Sequence, residues 1–379
     1  MSLQEKLLRE IHDEGPISFS RYMELCLYDP ELGYYSRRVE QFGKAGHFYT
    51  SSDVHAVFGR LLARQFQEIW QVLGSPREIE IVELGPGRGL FARDALDWSE
   101  KKFPQFFTAL HYSLAERSPT LRERLRNRLD RAFSTGKASL TNFPEGANTG
   151  SQAGTPVIVF ANEFFDALPI EVLGSNGELR IGEENGRLVE TWAKASDKEL
   201  CFLDRYSVQP ENGERVEAPL IAQSYVAQAA ATIPQGFIIA IDYGYTRDEL
   251  LAGRHRGTVM AYRQHSASAN PYEAPGEQDI TAHVNFTALA AAAETNGMHV
   301  HPLLTQSQFL LGIGEQNQFA DAFEECHLPQ ERAKVVLQLK HLVTPAGLGE
   351  TFHVLVASKG VDPDKVAALS GFGFGKVRF

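Results

Sequence analysis

The densest chemical signal in the chain is Glu83-Leu84-Gly85-Pro86-Gly87-Arg88-Gly89. Ile79 to Leu84 reads as a short buried strand and a helix starts near Leu90, so the glycines stand at a strand-to-helix turn. Glycine there lets the backbone fold back tightly and approach a ligand with no Cβ in the way. A dinucleotide site needs G-x-G-x-x-G, which sets pyrophosphate on the helix N-terminus. Counted from Gly85 the sixth position is Leu90, so that pattern fails and the spacing is G-x-G-x-G. Glu83 precedes the first glycine by two positions, and Glu116 ends the next strand. A tight turn without a ligand accounts for the glycines but for neither acid.

Two further clusters carry acids. Asn162-Glu163-Phe164-Phe165-Asp166-Ala167-Leu168-Pro169 follows the apolar run Val157 to Phe160, so its polar groups emerge at the carboxyl edge of a sheet. Two acids and an amide among aromatics suit an amine or a guanidinium. Helix capping by Asn162 and an ion pair at Asp166 are the structural alternative. Gly276-Glu277-Gln278-Asp279, with Thr281 and His283, leads into a helix. Asp279 could orient a guanidinium through a bidentate hydrogen bond, or serve only in a turn. His299 and His301 share one face of a strand, but no third ligand stands at a recognisable spacing, so no metal is expected.

These residues need an α/β scaffold to position them. Residues 1–78 read as an N-terminal helical region: Leu3, Leu7, Leu8 and Ile11 share one face, and Val54 to Leu73 keeps spacings of three and four. An irregular stretch from Tyr28 to Ser52, long enough to be functional, lies between the two helices as a covering loop. Residues 79–169 alternate strand, glycine turn and helix, with strands at 79–84, 111–115 and 156–161, as the first half of a doubly wound core. Residues 170–216 carry the turn signals Ser175-Asn176-Gly177 and Glu184-Asn185-Gly186, which predict a β-hairpin insertion. Residues 217–379 complete the core, with a strand at 237–241, a helix at 286–295 capped by Asn285, and a helical insertion at about 305–347.

Composition limits the function. The chain has 379 residues, 43% hydrophobic and 22% charged, with a formal net charge of −11. Nucleic-acid binding through phosphates usually needs a basic face, so no nucleic-acid partner is expected. The arginines between Arg122 and Arg131 surround Leu121, Leu125 and Leu129, as on the solvated side of an amphipathic helix. No apolar run reaches the roughly 20 residues of a membrane helix, so no membrane partner is expected. Three scattered cysteines and the absence of a basic or apolar leader predict a cytoplasmic protein.

The G-x-G-x-G turn resembles motif I of the class I S-adenosylmethionine methyltransferases. That likeness implies S-adenosylmethionine as cofactor, with Glu83 beside its cationic methionine end and Glu116 accepting hydrogen bonds from both ribose hydroxyls. Gly85, Gly87, Gly89 and Asn162 join them, with Tyr49, Thr50 and Ser51 from the covering loop. The resemblance then extends over nearly the whole chain, through Tyr28 to Tyr35, Phe48 to Ser51, Glu83 to Gly89, Asn162 to Pro169, Ala261 to His265 and Pro275 to Val284. Together these segments are similar to the MidA-type methyltransferases, whose mitochondrial members assist respiratory complex I assembly. This implies a class I, Rossmann-like doubly wound sheet with inserted subdomains, and methylation of arginine in a protein substrate. Glu163, Asp166, Asp279 and His283 become the catalytic candidates. In the mitochondrial members the product is understood to be symmetric dimethylarginine. Two departures are visible: Gly46-His47-Phe48 stands where members commonly have Gly-Asp-Phe, and Ser52-Asp53 where they commonly have Pro-Glu. Arginine's pKa above 12 argues for positioning of the guanidinium rather than prior deprotonation. A methyltransferase acting on a small molecule or RNA, and a cofactor-binding assembly factor with little catalysis, are the competing readings. The acidic balance disfavours RNA.

Overall fold

The computed structural model describes residues 1–36, 56–144, 154–251, 257–263 and 266–374. His47, Tyr49, Thr50, Ser51, Ser52 and Asp53 lie outside the described residues. The chain forms two compact units, both discontinuous in sequence. One comprises Met1–Phe48, Phe164–Val226 and Gly244–Ala292; the other comprises Tyr49–Glu163, Ala227–Tyr243 and Ala293–Phe379.

The second unit holds the large sheet. The strands along its main path are β1 (Ile79–Leu84), β2 (Leu110–Ala115), β3 (Ala138–Thr141), β4 (Val157–Asn162), β5 (Gly236–Tyr245), β6 (His299–Val300) and β7 (Phe352–Lys359), with Val284–Asn285 and Leu304–Thr305 pairing beside β5 and β7. The last two residues of β5 pass into the first unit. The spatial order is β3-β2-β1-β4-β5-β7-β6. β1 to β5 pair in parallel, whereas β7 runs antiparallel to β5 and to β6. Every residue of β1 is buried, its two glutamates included, and β4, buried through Ala161, reads as the near-continuous apolar run expected of a strand covered on both faces. Chain order reverses between β1 and β4: β2 and β3 extend one way, β4 and β5 the other. A crevice at the carboxyl ends of strands is expected at such a switch point.

Aromatic packing fixes β4 against neighbouring helices. The ring of Phe160 stacks on Phe91 of helix Leu90–Lys102 at 4.5 Å and meets Phe66 of helix Ala56–Val72 edge-on at 5.5 Å. Residues 305–347 contain the helices Gln306–Glu315, Ala320–Phe323 and Pro329–Val343. This segment is tied down through buried Asp321, which pairs with Arg64 and accepts from Trp98 Nε1 at 3.1 Å and Asn317 Nδ2 at 2.6 Å.

The first unit combines helices with two small antiparallel sheets. Helices Leu3–Glu14 and Phe19–Tyr28 begin at Ser2 and Ser18, whose hydroxyls accept from Glu5 N and Arg21 N. Strands Glu171–Gly174, Gly177–Glu184 and Arg187–Ala193 form consecutive hairpins turning at the two expected sites. Asn185 and Gly186 both take positive φ, 53° and 76°, as a two-residue hairpin turn demands. Alternation stops at Ala193, and Asp197–Tyr206 is a helix where the sequence pattern suggested only strands. The second small sheet has the order Ser266–Ser268, Met260–Arg263, Asp279–Thr281. Asn285 accepts from Ala288 N at 3.0 Å and caps helix Phe286–Thr295 as expected. Among the described residues no helix is long and apolar enough to cross a membrane.

Candidate active site

In the second unit the site is built at the carboxyl ends of β1, β2 and β4. Gly85, Gly87 and Gly89 have φ of 60°, 50° and 70°. The turn closes through Gly85 N to Ala115 O, 3.1 Å, and Gly89 N to Pro86 O, 2.8 Å. A Cβ at Gly87 would meet nothing within 4 Å, so the backbone there borders open space. Glu83 is buried in β1 and accepts from Tyr112 Oη at 2.9 Å. Burial pushes its carboxyl up to about 8, with the Tyr112 hydroxyl pulling the other way. Glu116, just past β2, accepts from Ser118 N at 2.8 Å. Burial raises it to about 7 despite that bond and the nearby Arg122 guanidinium.

Asn162 ends β4. Its amide nitrogen donates to Glu163 Oε1 at 3.1 Å, while its buried Oδ1 has no partner among the described residues. Glu163 takes a left-handed φ of 50° and donates its N–H to Ile241 O at 2.9 Å. Such a conformation in a non-glycine residue is strained and tends to mark functional sites. An orphaned acceptor, a buried acid with no cationic neighbour among the described residues and a backbone open to a ligand all call for an incoming donor. The ammonium and ribose hydroxyls of S-adenosylmethionine are donors of that kind, so the residues present fit this cofactor.

The first unit gathers a different set. Asp166 and Asp279 are buried, 5% and 4% exposed, and close enough that each charge acts on Tyr35 and Tyr262. Tyr35 Oη donates to Asp279 Oδ1 at 2.7 Å. Burial lifts Asp279 to about 7; the Tyr35 bond lowers it and the Asp166 charge raises it. The backbone adds a link, because Ala282 N donates to Asp166 O at 3.0 Å. Tyr28 Oη donates to Ala167 O at 2.9 Å, and its ring lies 5.5 Å from that of Tyr35. His283 donates its backbone N–H to Thr258 Oγ1 at 2.9 Å, with its ring 6.5 Å from that of Tyr245.

Thus Glu83, the three glycines, Glu116, Asn162 and Glu163 belong to one unit, and Asp166, Asp279 and His283 to the other. Sequence reasoning assigned no role to Tyr35 or Tyr112. Tyr35 does stand in the Tyr28 to Tyr35 segment that carried the family likeness. Tyr112 became visible only through the β1–β2 register, where Ile81 lies opposite it and Glu83 opposite Leu114.

Residues 61–304 match the family described as S-adenosyl-L-methionine-dependent methyltransferases. The mitochondrial protein arginine methyltransferase NDUFAF7 homolog of Drosophila melanogaster is 30% identical, over 95% of this chain and 85% of its own length. The mitochondrial protein arginine methyltransferase NDUFAF7 of Danio rerio is 28% identical, over 93% and 85%. A crystal structure of a Burkholderia thailandensis protein bound to S-adenosyl-homocysteine superposes with a TM-score of 0.82 at 27% identity, covering 98% of this chain and 94% of that one. The cytoplasmic expectation is overturned here, since these full-length relatives are named as mitochondrial. A reading from composition and leader type carries no weight against them, because address signals are independent of the fold that follows.

Proposed function

Because the chain belongs to the family of S-adenosyl-L-methionine-dependent methyltransferases, we propose that it methylates arginine in a protein substrate. The observation that carries this is the pair of buried carboxylates, Asp166 and Asp279, set among Tyr28, Tyr34, Tyr35 and Tyr262 in the first unit. Two buried acids repel one another and favour an occupant that brings positive charge. A guanidinium does so with several N–H donors in a plane, which matches carboxylate geometry better than a point-charge ammonium. The relatives named as protein arginine methyltransferases support the same acceptor.

The roles follow. Glu83 receives the ammonium of the cofactor, Glu116 its ribose hydroxyls, and Asn162 Oδ1 a further donor; the glycine turn lets the backbone come close. Tyr49, Thr50 and Ser51 are assigned to the same ligand on sequence grounds. The bound cofactor supplies an electrophilic methyl on a sulfonium. Asp166 and Asp279 accept from the guanidinium and localise its charge, so that one nitrogen keeps a lone pair for attack. A nitrogen–carbon bond would form as the carbon–sulfur bond breaks, the thioether would leave neutral, and the proton lost by the methylated nitrogen would pass to the carboxylate that accepts from it and then to solvent. In the first unit His283 adds a ring nitrogen to the groups offered to the acceptor, and Glu163 is assigned to the transfer on sequence grounds.

The test uses labelled S-adenosylmethionine and protein extract from cells lacking this gene, with methylarginine read after acid hydrolysis. Asp279→Asn should slow transfer by about a hundredfold, the scale of a misplaced reactant, while calorimetric affinity for the cofactor stays near wild type. Undiminished transfer would remove Asp279 from the acceptor site. Label in RNA or in small molecules instead of protein would replace the acceptor.

A further inference from the structure

Asp279 lies on a three-stranded sheet where its strand pairs with Met260–Arg263, Tyr262 standing opposite it. Its carboxylate is buried, and among the described residues Tyr35 is the hydrogen-bond donor it has. Tyr35 comes from a short 3-10 turn, Tyr34–Ser36, remote in sequence by 244 residues. Several bonds hold that turn. Asp29 Oδ1 accepts from Glu31 N at 3.1 Å and Leu32 N at 3.0 Å, Asp29 pairs with Lys6, and Gly33 N donates to Asp29 O at 3.0 Å. The Tyr35 ring is packed between Tyr28, 5.5 Å away, and Tyr34, 5.2 Å away.

We propose that Tyr35 is a positioning residue for the transfer: its hydroxyl holds Asp279 in one rotamer and leaves the second carboxylate oxygen to face the acceptor. This rests on the assignment of Asp166 and Asp279 to the acceptor. A carboxylate has two oxygens and a broad terminal torsion, so an unheld aspartate samples orientations in which neither oxygen meets the guanidinium. A phenol at 2.7 Å claims Oδ1 and fixes that torsion. The same bond offsets the repulsion from Asp166 and favours the ionised acid. The groups facing Asp279 among the described residues are Asp166, Tyr34, Tyr35 and Tyr262. Without the hydroxyl, the carboxyl holds its proton to higher pH, and a protonated acid is a poor acceptor for a cation.

Tyr35→Phe keeps the ring and its packing and removes the donor. With extract from the deletion strain as acceptor and saturating labelled cofactor, transfer to arginine should fall about tenfold, the scale of one hydrogen bond to a charged group. The acid limb of the rate profile should move to higher pH, and calorimetric affinity for S-adenosylmethionine should not change. Asp279→Asn and the double variant complete a cycle. If Tyr35 acts through Asp279, the double variant is no slower than Asp279→Asn alone. A further tenfold loss in the double variant overturns the inference, because Tyr35 then acts independently. Wild-type rate and pH profile in Tyr35→Phe beside a slow Asp279→Asn also overturn it, while the acceptor assignment stands. Normal transfer by Asp279→Asn defeats the acceptor assignment itself.

Discussion

Each unit contains a buried carboxylate held by a tyrosine hydroxyl, yet the two pairs are made differently. Tyr112 reaches Glu83 at 2.9 Å from the adjacent parallel strand, 29 residues along the chain. Tyr35 reaches Asp279 at 2.7 Å across 244 residues. In the first pair the β1–β2 ladder sets the geometry, so any chain that pairs these strands in this register brings the groups together. In the second pair no ladder joins the partners, and the bond depends on the packing of a helical turn around Asp29. A strand-borne site is therefore rigid by default, whereas a packed site depends on every contact that seats it. The carboxylates themselves share one property: burial raises both above the ordinary range, to about 8 for Glu83 and about 7 for Asp279.

The contrast breaks most severely at the glycines. Gly89 has φ of 70°, and a Cβ there would lie 2.6 Å from Leu125 Cδ2; Gly276 has φ of 78°, and a Cβ would lie 2.5 Å from Leu32 O and 2.8 Å from Leu3 Cδ2. A valine at either position adds a left-handed strain of roughly 1–2 kcal/mol and overpacking of about 1–3 kcal/mol. Gly89→Val should abolish cofactor binding. Gly276→Val should leave cofactor binding within about threefold and reduce transfer by about a hundredfold, since it displaces the turn bearing Tyr35. Calorimetry and labelled transfer on both variants decide this, and parallel loss of both functions in Gly276→Val would erase the distinction between the regions.

A smaller effect is expected at Glu116. On the proposed assignment, Glu116→Ala removes bonds to the ribose hydroxyls, each worth about 1.5–3 kcal/mol before water compensates. Affinity for S-adenosylmethionine should fall at least tenfold in a protein whose thermal unfolding is unchanged. Unaltered affinity would leave Glu116 as an acid that only holds the turn at Ser118 N, with Glu83 as the cofactor acid on that side.

The mildest effect is on stability. A carboxyl whose folded pKa is raised binds more protons in the folded than in the unfolded chain, so its contribution to stability falls as pH rises. For Glu83 the loss runs from the unfolded value near 4.5 up to about 8. The ligand-free protein should therefore melt several degrees lower at pH 8 than at pH 6, and Glu83→Gln should flatten that slope. S-adenosylmethionine binding should strengthen over the same interval, because the ionised acid is the form that meets an ammonium. A melting temperature that rises from pH 6 to pH 8 would contradict the burial argument for Glu83.

Much of the second unit was legible from residues alone. The glycines of Gly85-Pro86-Gly87-Arg88-Gly89 report a backbone requirement that only they meet, and the apolar run of β4 reports a strand buried on both faces. In the first unit, Asn285 before its helix and Asn185-Gly186 between strands are equally local, since cap and turn chemistry act over two to four residues. Ala138–Thr141 escaped notice because it is four residues long and mostly half-buried, with little apolar pattern to show. The reversal of β7 between β5 and β6 was equally hidden, as a strand's alternation is the same in either direction.

Sequence alone thus determined the α/β class, the strand-to-helix turn, both acids at strand ends and the cofactor they suit, because each depends on residues near one another in the chain. Tertiary structure alone decided that Tyr112 donates to Glu83, that Tyr35 donates to Asp279, and that Asn162 Oδ1 is buried with no partner among the described residues. It also decided that Glu163 and Asp166, three positions apart, belong to different compact units. Those outcomes depend on register and packing between distant segments. A side chain's identity records what it can bond to, and only the folded chain supplies the partner and the water-free surroundings that set its charge.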